Sequence, residues 1–465
     1  MADKGRVAMP LRDAAARGKD FVEVSLGYSA DQSKEEAQRC LQCKHRPCVG
    51  GCPVGIDIPG FIGCLARGMD DEAYRELKKY TALPAVCGRV CPQEKQCEQR
   101  CVRRIKGESV AIGNLERYAA DTYQARNRPP KSDIPWNGHR VAVVGAGPSG
   151  LSAAGELARL GYQVEVFEAL HAPGGVLTYG IPEFRLPKAV VRREVEELET
   201  LGVTINCNIV IGRTITVDEL FEEGFEAVYI GSGAGLPRFM GIPGEGLNGV
   251  LSANEYLTRV NLMGAWRDDA ATPVLRGKSV AVVGGGNVAM DAARSALRLG
   301  AEGVSVVYRR GMEELPARLE EVHHAQEEGI SFKTLCAPIE VLGENGWVRG
   351  LRCLKMELGE PDASGRRSPV EIQGSEFDIK VDTVIIAIGT DPNPLLPRNT
   401  KGLETDSRGR IVADANGLTR RGRVWAGGDA VTGAATVILA MGAGKAAARD
   451  IDKVLAAEQG SITSV

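Results

Sequence analysis

Apolar residues in this chain gather in short uninterrupted runs that lead into glycines, and two of these runs open the same longer pattern. The first is Arg140–Glu168, RVAVVGAGPSGLSAAGELARLGYQVEVFE. Val141–Val144 suits a strand buried on both faces. Leu151, Ala154, Leu157, Ala158 and Leu160 then recur at helical spacing, and Gly161 ends that helix. Val164–Phe167 reads as a second strand, with Glu168 at its end. Gly145, Gly147 and Gly150 form G-x-G-x-x-G at the first strand's exit. The first glycine permits a tight turn, the second a close approach of backbone to a pyrophosphate, and the third close packing of helix on sheet. The helix N-terminus offers free N–H groups to phosphates, and Glu168 is placed to accept from a ribose. The competing reading is a glycine-rich turn in another α/β fold.

Lys278–Arg310 repeats the design: Val280–Val283 as a strand, then G-x-G-x-x-A at Gly284, Gly286 and Ala289. Met290–Leu299 is an amphipathic helix and Val304–Tyr308 a second strand. Here the strand ends in Arg309 and Arg310 instead of an acid. A carboxylate would repel a 2′-phosphate, whereas guanidinium groups accept it through forked, charge-assisted hydrogen bonds, so NADP is expected over NAD. Two surface arginines after a strand are the alternative.

Other segments fit around these units. His171–Lys188 holds the paired Gly174 and Gly175 with Tyr179, Pro182 and Pro187, a stiff loop suited to covering a flavin ring or else an ordinary surface loop. No C-x4-C pair lies here, so a disulfide reductase is not expected. Arg192, Arg193, Glu194, Glu196 and Glu197 read as a solvated helix face. Ala227–Gly235 and Val384–Asn393 are strands running into glycines, expected as crossings between domains. Val341–Asp382 predicts a small antiparallel layer with a polar loop at Gly359–Pro369. Val424–Lys445 reads as a strand, then Gly427, Gly428 and Asp429, then a small-residue helix from about Ala435. Asp429 is placed for a flavin's ribityl or phosphate region, and that helix would point positive charge at the ring's pyrimidine side.

Length changes the picture little: 465 residues hold about two to four domains. The net charge of −3 gives no nucleic-acid footprint and no polybasic membrane patch. The longest apolar runs, such as Val437–Met441 and Val384–Ile388, are far too short for a membrane span. The N-terminal residues show no export signal, so a cytoplasmic location is expected. The twelve cysteines are then unsuited to disulfides.

Eight of those cysteines form two groups. Cys40, Cys43, Cys48 and Cys52 follow C-x2-C-x4-C-x3-C-P, and Cys87, Cys91, Cys97 and Cys101 follow C-x3-C-P-x4-C-x3-C. Short spacings with proline after a ligand are similar to ferredoxin runs and suggest two 4Fe-4S clusters. A pair of four-cysteine zinc sites is the redox-silent alternative. Helices are expected within Asp57–Tyr80 and over Ser109–Ala120, and a linker over Arg126–Trp136. Cys64, Cys207, Cys336 and Cys353 read as core thiols.

Taken together, these motifs resemble the small-subunit family of NADPH glutamate synthase over essentially the whole chain. The same module resembles the N-terminal half of dihydropyrimidine dehydrogenase and the large subunit of NADH-dependent ferredoxin:NADP oxidoreductase, which bifurcates electrons. DAVTGAATVILAMGAGK looks closest to the last of these and to stand-alone chains labelled homotetrameric glutamate synthase. The resemblance implies an α/β fold: a helical domain with two 4Fe-4S clusters at 1–130, then two Rossmann-like domains, the second inserted in the first. The expected bounds are 131–255 and 385–465 for the FAD domain and 256–384 for the NADP domain. It further implies that the cysteine runs cross over. Cys40, Cys43, Cys48 and Cys101 would hold one cluster. Cys52, Cys91 and Cys97 would hold the other, with Glu116 as fourth ligand and Cys87 as a spectator.

The implied FAD contacts are Gly145, Gly147, Pro148, Ser149, Gly150, Glu168, Gly174, Gly175, Arg185, Gly428, Asp429, Thr436 and Val437. Those for NADP(H) are Gly284, Gly286, Asn287, Val288, Ala289, Arg309 and Arg310. The implied activity passes electrons between NADP(H), FAD, the clusters and a partner, with no catalytic acid–base pair. The expected partner is a small flavin/iron–sulfur subunit of ferredoxin:NAD reductase type or a glutamate synthase large subunit, with ferredoxin a further candidate. Residue 2 is Ala2, so no N-terminal cysteine nucleophile for glutaminase work is expected, nor a further domain to bind 2-oxoglutarate. A passive electron wire with a vestigial nucleotide site is the reading of a different class; the intact glycines, with Arg309 and Arg310, argue against it.

Overall fold

A computed structural model describes residues 5–129, 131, 133–363 and 365–462, with side chains to residue 457. Residues 1–4 of the expected leaderless N-terminus, 130 and 132 of the expected linker and 364 of the expected polar loop lie outside the described residues.

The first part is helical: α1 Ala30–Ala37, α2 Ile58–Ala66, α3 Asp70–Lys78, α4 Pro84–Val90 and α5 Ile112–Arg126. Asp57 starts α2 by accepting from the Gly60 N–H. Phe61, Ile62, Leu65, Leu77, Val86 and Leu115 close the core between these helices. The last helix begins three residues later than expected and consumes the start of the linker.

A Rossmann-like parallel layer follows, with β1 Arg140–Val144, α6 Pro148–Arg159, β2 Gln163–Phe167, α7 Lys188–Thr200, β3 Thr204–Asn206 and β4 Ala227–Ile230. The second layer holds β5 Val250–Ser252, β6 Ser279–Val283, α8 Asn287–Arg298, β7 Gly303–Tyr308, α9 Leu319–Glu327 and β8 Ser331–Thr334. An antiparallel sheet is appended: β9 Cys336–Glu344, β10 Trp347–Pro361, β11 Arg367–Glu371 and β12 Phe377–Lys380. β13 Thr383–Ile386 completes the second parallel sheet. The chain then returns through β14 Val424–Ala426 and the long α10 Val437–Ile462 to the first.

The parallel sheets run β14-β4-β1-β2-β3 and β5-β13-β6-β7-β8, so the second domain is inserted in the first. The two crossings touch: Leu236–Pro237 pairs antiparallel with Thr390–Asp391. Central strands are buried on both faces, as their continuous Val/Ala/Ile runs require.

Three expectations are corrected. The polar loop at 359–369 is mostly hairpin, since β10 continues to Pro361 and β11 begins at Arg367. The charged run on α7 is not a solvated face. Glu194 is fully buried and accepts from the Ala85 and Val86 N–H groups at the start of α4, while Glu197 accepts from Tyr74 and Lys78. Cys64 and Cys207 are half-buried, whereas Cys336 and Cys353 do lie in the core.

Candidate functional site

The end of β1 forms the first cradle. Glu168 accepts from the Ala146 N–H at 2.8 Å and the Leu170 N–H at 2.8 Å, which fixes its carboxylate beside the turn. Gly147 starts α6, and a Cβ there would meet only Gly175 at 3.9 Å, so its face is open to a ligand. Ser149 bonds the buried Tyr229 hydroxyl, which anchors the first turn of α6 to β4. Gly174 N–H donates to Ala146 O and brings the 174–175 pair against the same turn. Across the sheet, burial pushes Asp429 up to about 6, and its Oδ1 accepts from the Ala435 N–H. Thr436 accepts from the Leu439 N–H and leads into Val437 at the start of α10. Gly147, Glu168, Gly175, Asp429 and the α10 N-terminus thus supply open backbone, acceptors and positive dipole of the kind that FAD would require.

Arg185 stands apart from this set. Its Nη1 donates to both carboxylate oxygens of Asp291 of α8 at 2.6 and 2.7 Å, and its Nε reaches Glu321 of α9 at 3.0 Å. It is an interdomain tie with its charge already matched, not an available flavin donor.

The second cradle has the same form. Gly286 starts α8, and a Cβ there would meet nothing within 4 Å. Asn287 accepts from the Arg318 N–H at 2.9 Å, Val288 is exposed and Ala289 packs inward. The two arginines at the end of β7 have separate fates. Arg309 is exposed, whereas Arg310 is buried, bonding Asp362 at 2.5 Å and the Arg367 carbonyl at 2.8 Å. The residue available to a 2′-phosphate is therefore Arg309. Arg309→Ala is expected to raise the KM for NADPH about tenfold or more and leave that for NADH little changed, the loss of one charge-assisted hydrogen bond. Arg310→Ala should lower the melting temperature without moving the NADPH/NADH ratio; steady-state kinetics and calorimetry read both.

The cysteines fall into two groups. Cys40, Cys43, Cys48 and Cys101 line one cavity together with Leu41, Ile58, Ile62 and Val102. Cys52, Cys91 and Cys97 interact electrostatically with one another and with Glu116 deeper in the domain. Glu116 Oε1 is buried without a hydrogen-bond partner, and burial followed by Glu194 pushes its carboxyl up to about 8. Burial also raises Cys48 and Cys52 to about 11 and pushes Cys97 well above the ordinary thiol value. A bound metal centre would hold such thiols ionised, and the unpartnered Glu116 oxygen beside three of them fits a fourth ligand position. Among the described residues no three His, Cys, Asp or Glu side chains converge on a point for a single metal ion. Two clusters with the crossed-over ligand sets suit this arrangement.

One feature escaped sequence reasoning: α10 runs from the flavin cradle into the helical domain. The Cys87 thiol donates to Met441 Sδ at 3.6 Å, and the Cys87 carbonyl accepts from the Cys91 N–H at 3.1 Å. Lys445 donates to the carbonyls of Val54 and Tyr80. Cys87, expected as a bystander, thus bridges the flavin side to the deeper cysteine group. The small residues of MGAGK hinted at close packing, but nothing in the sequence said against what.

Two family models match the chain: dihydropyrimidine dehydrogenase domain II, 4Fe-4S cluster, over residues 17–128, and pyridine nucleotide-disulphide oxidoreductase over residues 121–445. The glutamate synthase (NADPH) small chain of Halomonas elongata is 38% identical over 97% of this chain and 96% of its own. The NADP(+)-dependent formate dehydrogenase subunit beta of Moorella thermoacetica is 41% identical over 98% of this chain and 68% of its own. Among solved structures, Mycobacterium tuberculosis FprA in complex with NADPH superposes with a TM-score of 0.59 at 21% identity, covering 70% of this chain and 86% of that one, a likeness of fold.

Proposed function

We propose, from the fact that this chain belongs to the family of glutamate synthase (NADPH) small chains, that it is the electron-transfer subunit of a larger assembly and exchanges electrons with a ferredoxin-type partner. The chain itself is an NADPH-dependent flavin and iron–sulfur oxidoreductase. When bound, FAD and the 4Fe-4S clusters supply the conversion between a hydride and single electrons.

The protein's part is positional. The Gly284–Ala289 turn and Arg309 would hold the nucleotide, and the Gly145–Gly150 turn, Glu168 and Asp429 the flavin. The Arg185–Asp291 pair joins the two domains at 2.6 Å and fixes how one nucleotide site faces the other. Met441 and Cys87 carry contact onward to Cys91. The observation that supports this reading best is that one continuous helix, α10, begins at the flavin cradle and reaches the cysteine domain. Among the described residues no helix is long and apolar enough to cross a membrane.

A second reading, the NADPH-oxidising input to a glutamate synthase large subunit, is favoured by the matching length of the Halomonas elongata small chain. Anaerobic NADPH should bleach the flavin band of the holoprotein, which should carry about eight irons per chain if both clusters are 4Fe-4S. An unresponsive flavin, or zinc in place of iron, would refute the reading. Subunits co-eluting from the native host separate the two partners.

A further inference from the structure

The outer thiol cavity opens where two loops meet, and the exposed charge beside its cysteines is cationic, the exposed acid Glu108 lying at the far end of the second loop. Residues 39–56, which carry Cys40, Cys43, Cys48 and Cys52, contain no acid, and neither do residues 99–107 around Cys101. Lys44, His45, Arg46, Arg100, Arg104 and Lys106 are all exposed. Arg46 is matched by Asp57 at 2.8 Å, but among the described residues Lys44, Arg100, Arg104 and Lys106 form no ion pair. The chain as a whole is slightly acidic, at −3, so this cluster runs against the average.

Apolar side chains sit within the cationic rim. Ile105 is 79% exposed and Leu41 54% exposed, and Leu41, Val102 and Arg103 also wall the cavity that Cys40, Cys43, Cys48 and Cys101 line. Exposed apolar residues scattered singly mean little, but here they surround the entrance to a redox site. An apolar centre with a charged rim of one sign is suited to brief, oriented encounters: charge steers approach, and the small apolar area lets the partner leave. The deeper group offers no such access, because Cys91 and Cys97 are buried.

We propose that this face docks a small acidic protein that carries single electrons, with Leu41 and Ile105 at the contact and Lys44, Arg100, Arg104 and Lys106 around it. The inference rests on the oxidoreductase reading above and adds the partner's charge and its landing place. The balance is two reduced carriers, each giving one electron, with NADP⁺ and one proton, yielding two oxidised carriers and NADPH.

The test uses the holoenzyme with Lys44→Glu, Arg104→Glu and Lys106→Glu combined, and an acidic bacterial ferredoxin as probe. Reduced ferredoxin drives NADP⁺ reduction, and calorimetry measures binding of the oxidised ferredoxin. The KM for ferredoxin should rise at least about tenfold, binding should weaken in parallel, and the wild type's loss of affinity with added salt should flatten. Iron content and flavin bleaching by NADPH should not change. A Lys44→Arg, Arg104→Lys, Lys106→Arg variant should behave as wild type. Unchanged KM and binding in the Glu variant would overturn the proposal. So would release of a co-purifying larger subunit with ferredoxin binding intact, since the face would then be a permanent interface. If NADPH fails to bleach the wild-type flavin, the functional reading fails, while the calorimetric comparison still decides the docking surface.

Discussion

Gly150→Ala is expected to give a protein that retains its iron but has lost nearly all of its flavin. A Cβ at this position would lie 1.9 Å from Gly145 O and 3.1 Å from Val143 Cγ1. The clash is with backbone, so no side chain can rotate away to relieve it. Either α6 lifts from the sheet or the Gly145–Gly147 turn opens, and both move the N–H groups that a pyrophosphate would meet. Overpacking alone costs about 1–3 kcal/mol, and a displaced phosphate cradle adds lost binding, so FAD occupancy should fall about tenfold or more. The ratio of flavin to iron in the purified variant measures this. Full occupancy would mean that the turn does not bind the cofactor as described.

Glu328→Ala is expected to be the most destabilising single change between the nucleotide domain and the N-terminal segment. Its buried carboxylate is shared by three guanidinium groups: Arg294 at 2.7 Å, Arg298 at 2.7 Å and Arg17 at 3.1 Å. Arg294 keeps Glu321 and Arg17 keeps Glu327, but among the described residues Arg298 pairs with Glu328 alone, so truncation leaves a buried cation without compensation in a low-dielectric setting. Breaking such a cluster costs about 3–5 kcal/mol, a fall in melting temperature on the order of 10 °C. Calorimetry at neutral pH reads it.

The same cluster sets an acid limit. Burial alone would raise Glu328 and Glu321, but the arginines override it: Glu328 lies well below the usual 4.5, and Glu321 is brought to about 2 by Arg185 and Arg294. The unfolded chain therefore binds protons that the folded one refuses. The stabilisation is complete above about pH 5 and is lost as pH falls through the folded values, toward pH 2. Stability of the wild type should drop over that window, and Glu328→Ala should show a shallower slope.

The sequence made the two nucleotide units readable because each function there is local: a turn, a helix start and a strand end lie within thirty residues. The inserted order of the domains followed from strands running into glycines. What stayed hidden depends on distant partners. Glu194 sits on a segment that alternates like a surface helix, yet its carboxylate caps α4 more than a hundred positions away. Arg185 and Arg310 carry the charge a cofactor wants, but Asp291 and Asp362 claim them first. Cys87 keeps ligand spacing, and only the approach of α10 shows its contact with Met441. In each case the residue type was informative, and its destination was set by packing.

The central claim is that iron at one end of the chain and a nicotinamide nucleotide at the other exchange electrons through this protein. The holoenzyme is reduced chemically without oxygen, freed of excess reductant and mixed with NADP⁺. The account predicts that the EPR signal of the reduced clusters is lost as NADPH forms, two cluster electrons for each NADPH, and that the flavin-free Gly150→Ala protein keeps its signal. A wild-type signal unmoved by NADP⁺ would contradict it.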